Sequence, residues 1–318
     1  MRLRASLLGL LLLASPAAAQ TAKPGVPEPD RATLLKRAAV AVSAGRRAEA
    51  ATLLREAADR FQSVRALLQL AELQSNGGDS KGALDSLTRA RTLAPNAEGV
   101  LAALARRLGK SPLPALQAWE PLARMHPKVA EYQLGLGTAL ADAGDLRAAV
   151  AALKRSQALE PNRASTLVAL GIALNGLGAY AEAREPLTRS LELEPDNTDA
   201  AAALAEAEVG VGDLASAEAH AWRALTRSPA HATANLALGM VLLSRDRPAE
   251  AREALQTAAA ADPRSAKAEH QLALVCTALN DGDGARIHEA ESRRRADEAR
   301  ARVERLWETL GRFDGDEP

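Results

Sequence analysis

Five histidines and one cysteine are the side chains of this chain best suited to metal binding or nucleophilic chemistry, and their spacing supports neither. A zinc site needs several imidazole or thiolate ligands, commonly announced by an H-x-x-x-H pair or by paired cysteines. His126, His220, His231, His270 and His288 form no such pair beside an acid, and Cys276 has no second cysteine to join it. His220 falls inside a helical pattern, and His126 and His231 flank prolines. All five read as structural or solvent-exposed. A lone thiol cannot close an intramolecular disulfide. Free cysteine usually serves as a small buried hydrophobe, the role expected of Cys276. The sequence has no P-loop, no G-x-G-x-x-G and no G-x-S-x-G. The glycines at Gly77-Gly78 and Gly282-Asp283-Gly284 read as helix ends rather than phosphate cradles. The expectation is therefore a protein that is not an enzyme, with no catalytic residue, no metal ligand and no cofactor.

Composition says what kind of scaffold remains. The chain has 318 residues, with 40 basic against 40 acidic side chains. A neutral balance argues against a nucleic-acid binder, which needs a basic surface to release counterions. Aromatic residues make up 2% of the chain and alanine dominates it. Strands favour aromatic and β-branched residues, whereas alanine is the best helix former, so the expected class is all-α.

The helices must recur. Pro127, Pro161, Pro195, Pro229 and Pro263 stand 34 residues apart, and the residues between them repeat in phase. Leu136-Gly137, Leu140, Gly144-Asp145, Ala149 and Leu153 are matched by Leu170-Gly171, Leu174, Gly178, Ala183 and Leu187, and again by Leu238-Gly239, Leu242, Ala251 and Leu255. A fixed period of this size marks helix–turn–helix units stacked on one another. Glycine at Gly144, Gly178 and Gly212 can end a first helix in the left-handed conformation. Asp145 and Asp213 can then cap the second helix, and each repeat proline stops it.

On these residues the chain resembles the tetratricopeptide repeat (TPR) family, in a form typical of exported bacterial proteins. The small positions and prolines of the motif are kept, while its aromatic positions are mostly Leu or Ala. The resemblance implies an α-α superhelical solenoid of about eight helix-turn-helix repeats with a C-terminal capping helix. The first repeat covers 31–62, the second 64–95 and the third 96–127. Four regular repeats cover 130–263, and the eighth starts near Ala268 with Gly282-Asp283 aligned to Gly144-Asp145. In the third repeat, Pro112 and Pro114 are expected between the helices and Pro121 to kink or break the second one.

The ends carry separate signals. Residues 1–19 have a basic start at Arg2 and Arg4, an apolar run of about ten residues and an A-x-A site, the signature of a cleaved signal peptide. The run is too short to span a membrane. No cysteine stands near the cleavage site, so a lipid anchor and a stable membrane anchor are not expected. The expected location is periplasmic or secreted. A preference for arginine over lysine, which supplies seven of the 40 basic residues, points to a bacterial envelope. Residues 20–30 read as a Pro-rich linker, 31–284 as the repeat array, 285–312 as the second helix of the last repeat extended into the capping helix, and 313–318 as a disordered tail. Glu289, Glu291 and Glu298 precede Arg293, Arg295 and Arg302 by four residues, a helix-stabilising spacing. Ala296, Ala299, Val303, Leu306 and Leu310 form an apolar stripe on that helix. The stripe fits a cap on the array or a dimerisation helix.

The resemblance also implies where a partner would sit. In TPR proteins the first helices line a concave face through motif positions 2, 5, 9, 12 and 13. Carried onto this chain, the fifth positions are Leu134, Val168, Ala202, Leu236 and Leu272. The ninth are Thr138, Ile172, Glu206, Met240 and Cys276, and the twelfth Ala141, Asn175, Val209, Leu243 and Leu279. The family's carboxylate clamp needs Lys and Asn at the fifth and ninth positions, and neither occurs here. The expected site is instead an apolar groove of Leu134, Thr138, Val168, Ile172, Leu236, Met240, Leu243, Leu272, Cys276 and Leu279. It would take a peptide or an amphipathic helix. The expected function is thus a non-enzymatic protein–protein interaction scaffold of the envelope, with a protein or peptide partner and no nucleic acid. One alternative is a structural protein forming homo-oligomers through its C-terminal helix. Another is an enzyme with an unrecognised site.

Overall fold

The computed structural model describes residues 29–108 and 111–311. The signal peptide expected at 1–19, all but the end of the 20–30 linker, and the tail expected at 313–318 lie outside the described residues. Every regular element among the described residues is an α-helix, and the helices come in eight pairs. They are α1 (Arg31–Ser43) and α2 (Arg47–Phe61), α3 (Val64–Asn76) and α4 (Ser80–Leu93), α5 (Glu98–Arg107) and α6 (Pro112–Met125), and α7 (Ala130–Ala143) and α8 (Leu146–Leu159). The remaining pairs are α9 (Ala164–Gly176) and α10 (Tyr180–Leu193), α11 (Thr198–Val211) and α12 (Leu214–Arg227), α13 (Ala232–Ser244) and α14 (Pro248–Ala261), and α15 (Ala266–Ala278) and α16 (Gly282–Thr309).

Local chemistry sets the ends of these helices. Gly144 (φ 99°) takes the left-handed conformation after α7, and Gly178 and Gly212 do so in the next two pairs. The Asp145 carboxylate then accepts the Ala148 N–H at 3.0 Å. Asp79, Asp213 and Asp281 cap their helices in the same way. Each second helix from α4 to α14 ends two residues before its repeat proline. The residue in between is extended, as at Glu160 (φ −133°, ψ 84°), because proline disfavours the helical region for its predecessor.

The chain divides into two compact units between Ala66 and Leu67. In the first, α1 and α2 form a hairpin that buries Leu34, Ala38 and Ala41 with Ala50, Leu54 and Ala57. In the second, most second helices pack on their own first helix and all on the first helix that follows. The first helices also touch one another directly, α7 to α9, α9 to α11, α11 to α13 and α13 to α15. This unit is an all-α helical-repeat solenoid with an inner rank of first helices and an outer rank of second helices. Its interior is tight because small residues sit where helices cross. A methyl group at Gly137 would lie 2.5 Å from Leu153 Cγ, and one at Gly239 would lie 2.5 Å from Leu255 Cγ.

Two expectations are corrected. The prolines of the third repeat do not separate or break its helices: α6 starts at Pro112, contains Pro114 in its first turn and runs on through Pro121 to Met125. First-turn N–H groups have no intrahelical acceptor, so Pro112 and Pro114 cost nothing there. At Pro121 one backbone hydrogen bond is lost, while the surrounding Leu116, Trp119 and Leu122 stay buried and hold the helix in place. The eighth repeat begins two residues earlier than its glycines suggest. Asn280 (φ 58°) and Asp281 occupy the places of Gly144 and Asp145, so α15 starts at Ala266, a full 34 residues after Ala232. Asparagine tolerates the left-handed region well enough to stand in for glycine.

Candidate functional site

The two-residue correction rearranges the inner face. Its eighth-repeat members become Lys267, His270, Leu274 and Thr277 at the second, fifth, ninth and twelfth positions. Leu272 and Cys276 move to positions held elsewhere by Leu136 and Leu140, and both are buried. Cys276 is a buried free thiol. Leu279 becomes the C-cap of α15 and is half-buried. Of the other expected groove residues, Val168 and Leu236 are also buried, so they pack between helices instead of facing a ligand. Leu134, Thr138, Met240 and Leu243 are half-buried. Ile172, at 47% exposure, is the open member of the ten, and Leu274, at 42%, is the exposed ninth-position residue that the original register hid.

At the centre of this face lies a polar group that connects three repeats. The Lys267 ammonium at the start of α15 reaches past α13 to the Glu206 carboxylate on α11, at 2.5 Å, and donates to the Tyr180 hydroxyl on α10 at 2.9 Å. It also stands 4.9 Å from the centre of the Tyr180 ring. Tyr180 in turn covers Gly210, where any Cβ would collide with the ring. Burial pulls the Lys267 pKa down, but Glu206 and Tyr180 outweigh it and hold the ammonium above the ordinary lysine value. Lys267 is thus a fixed cation at working pH. Its contact with Glu206 also places the second position of one repeat and the ninth of another on the same open side. Farther along, desolvation raises the Asp142 carboxyl at the end of α7, against the pull of Arg264 in the loop before α15.

Three of the five histidines tie helices together. The His220 ring is 2.8 Å from Glu208 and the His288 ring 2.6 Å from Glu269, both carboxylates being buried. Arg295 adds a third partner to Glu269 at 2.9 Å and so ties α16 to α15. His231 caps α13 and contacts Asp199 at 2.9 Å. Among the described residues no group of three His, Cys, Asp or Glu side chains is placed to hold a metal.

The end of α16 packs one side against other repeats and leaves Glu304, Arg305, Glu308 and Thr309 exposed. It turns over the rim of the third and fourth repeats, where Leu306 is buried and Val303 lies against Gly144. Trp307 and Leu310 reach the crevice that α6 and α8 leave over α7. None of the ten expected groove residues lines this crevice. Sequence reasoning missed Lys267 and Leu274 because it set the last repeat from its glycines. Counting 34 residues on from Ala232 would have found both.

Comparison with known proteins bears on the whole array. A family model described as tetratricopeptide repeat matches residues 35–98, 101–164, 137–200 and 202–266. No curated protein matches the sequence. Among solved structures, a tetratricopeptide repeat protein from Parabacteroides merdae ATCC 43184 superposes with a TM-score of 0.55 at 17% identity, covering 77% of this chain and 98% of its own. A chain of the APC/C hetero-tetramer Cut9–Hcn1 superposes with a TM-score of 0.56 at 17% identity. There the match covers 86% of this chain and 55% of the other. At such identities the likeness is one of fold.

Proposed function

The chain belongs to the tetratricopeptide-repeat family, and from that premise we propose that it is an exported scaffold whose inner rank of first helices holds a peptide or amphipathic helix of a partner protein. Repeat proteins of this family are in general non-enzymatic and bind other proteins. The observation that carries the finer reading is the ninth-position row. Ile172 and Leu274 are exposed and Met240 half-buried, on either side of the Glu206–Lys267–Tyr180 group. An apolar side chain gains about 1.5–3 kcal/mol when fully buried. Two or three such contacts can hold a helix once the cost of association is met. The fixed polar group between them would set the register of the bound segment, since a partner must leave it paired or replace its hydrogen bonds. The export reading rests on the basic start, apolar run and A-x-A site of residues 1–19. The C-terminal stripe is used within the chain, with Leu306 buried, and so gives less support to an oligomerisation role.

The test is a photo-crosslinking residue at Met240 in the native host, alone and with Ile172→Lys plus Leu274→Lys. Both lysine positions are exposed, so the fold should survive. The reading expects one defined protein to be captured and the capture to be lost in the double variant. Capture that ignores both lysines, or crosslinks confined to the chain itself, would overturn it.

A further inference from the structure

The second helices of the later repeats are tied to their neighbours by charge. Lys154 on α8 meets Glu182 on α10 at 3.3 Å. Arg184, Glu218 and Arg252 hold equivalent places on α10, α12 and α14, and each pairs with the repeat that follows, through Asp213, Arg245 and Asp281. Between α6 and α8 these charges are replaced. Leu116 stands where Arg184, Glu218 and Arg252 do, Ala148 takes the place of Glu182, and Ala151 that of Glu185. The seam that ion pairs close elsewhere is here a hollow of about 390 Å³, within the size range of ligand sites. Leu136 on its floor is half-buried, whereas its counterparts Leu170, Leu204, Leu238 and Leu272 are buried. Trp307 and Leu310 of α16 cover part of the opening.

The hollow has a charged end and an apolar end. Successive helices run antiparallel, so Arg124 of α6, Gln133 of α7 and Arg155 of α8 stand together at one end, and Leu116, Leu140 and Ala148 at the other. Leu116 and Arg124 are eight residues apart on α6, about 12 Å at 1.5 Å per residue. Gln133 is buried and fully engaged: it donates to the Ala123 and Pro127 carbonyls and accepts from Arg155 Nε at 3.1 Å. That bond uses one N–H of the Arg155 guanidinium. Neither Arg124 nor Arg155 stands in an ion pair among the described residues, while Glu120, also at the wall, is already partnered. Arginine pairs a carboxylate through two parallel N–H bonds. Two such groups beside an apolar floor match an acid carried on an apolar body. A water molecule takes about 30 Å³ of liquid, so the hollow has room for about 13 non-hydrogen atoms.

We propose that this hollow is a binding site for a small amphiphilic carboxylate with an apolar body of about ten carbons. The carboxylate lies between Arg124 and Arg155, and the apolar body runs beneath Trp307 toward Leu116 and Ala148. The bound molecule fills the gap between the end of α16 and the outer rank. The site is separate from the inner face assigned to a partner protein above and does not depend on it.

Decanoate is the probe, titrated calorimetrically into the full chain below its micellar range, with decanol as the uncharged control. The proposal expects saturation at one decanoate per chain, with decanol weaker by about 10- to 100-fold. Arg124→Gln with Arg155→Gln, both at exposed positions, should weaken decanoate by about the same factor. Ala148→Glu with Ala151→Glu restores the residues of the next second helix and should abolish binding, with the helical circular dichroism unchanged. If that pair unfolds the chain, the arginine pair still decides. Absence of saturable binding, equal affinity for decanol, or an affinity indifferent to the arginine changes or to the glutamates in a folded chain would each overturn it.

Discussion

The tight crossing at Gly239 allows a worked test of how the repeats are held. A Cβ placed there would lie 2.5 Å from Leu255 Cγ and 2.8 Å from its Cδ2, and Leu255 is fully buried. The branched end of Leu255 has no space to retreat. Overpacking of this kind costs about 1–3 kcal/mol, while replacing glycine by alanine within a helix returns about 1 kcal/mol. Gly239→Ala should therefore destabilise by about 1 kcal/mol. Leu255→Ala alone removes a buried leucine and should cost about 2–5 kcal/mol. The two changes together recreate the pair that the preceding repeat uses, Ala205 against Ala221, both buried. The double variant should then be more stable than the sum of the single ones by about 1–3 kcal/mol. The converse holds in the preceding repeat, where Ala221→Leu should be destabilising and Ala205→Gly should rescue it. Urea unfolding followed by circular dichroism gives the four corners of each cycle, and hydrogen exchange localises the loss to the affected repeat. Additivity within about 0.5 kcal/mol in either cycle, or a Gly239→Ala variant more stable than the parent, would refute the claim that glycine is there for a neighbouring leucine.

Three further outcomes are expected. Tyr132 donates to Glu98 at 2.6 Å, and this hydrogen bond, with burial behind it, pushes the phenol up to about 12. Because the folded value is raised, the associated stability is present below pH 10 and is lost as pH rises through about 12. The Tyr132 Cζ carbon shift should show that midpoint, and Glu98→Gln should bring it back toward 10. Asp246 holds φ 57° where five earlier repeats have glycine. Asp246→Gly should raise the urea midpoint by an amount equivalent to about 0.5–1 kcal/mol, and a lowered midpoint would contradict the left-handed cost. His220→Ala strands the buried Glu208 carboxylate and should cost about 1–3 kcal/mol. Adding Glu208→Leu should recover most of it, since Leu140, Leu174 and Leu242 hold the same position in other repeats.

The sequence by itself determined the elements whose causes are local. Glycine, aspartate and proline act on their own backbone within a few residues, so the helix ends at Gly144, Asp145 and Pro161 could be placed without knowing any neighbour. The 34-residue spacing then implied the stacking, because units that cannot bury an apolar face alone must share one. The structure decided everything that depends on which helices touch. Val168 and Leu236 read as groove residues by position but are buried, because first helices rich in glycine and alanine approach too closely to leave them open. Asn280 could replace glycine unnoticed, since two residue types satisfy one backbone angle, and the inner face of the last repeat shifted with it. Pro121 stays helical because packing around Leu116, Trp119 and Leu122 outweighs one missing hydrogen bond. Lys267 meets Glu206 across 61 residues and Leu306 buries itself against distant repeats. Such contacts follow from the curvature accumulated over several repeats, a sum of small rotations that no local residue pattern encodes.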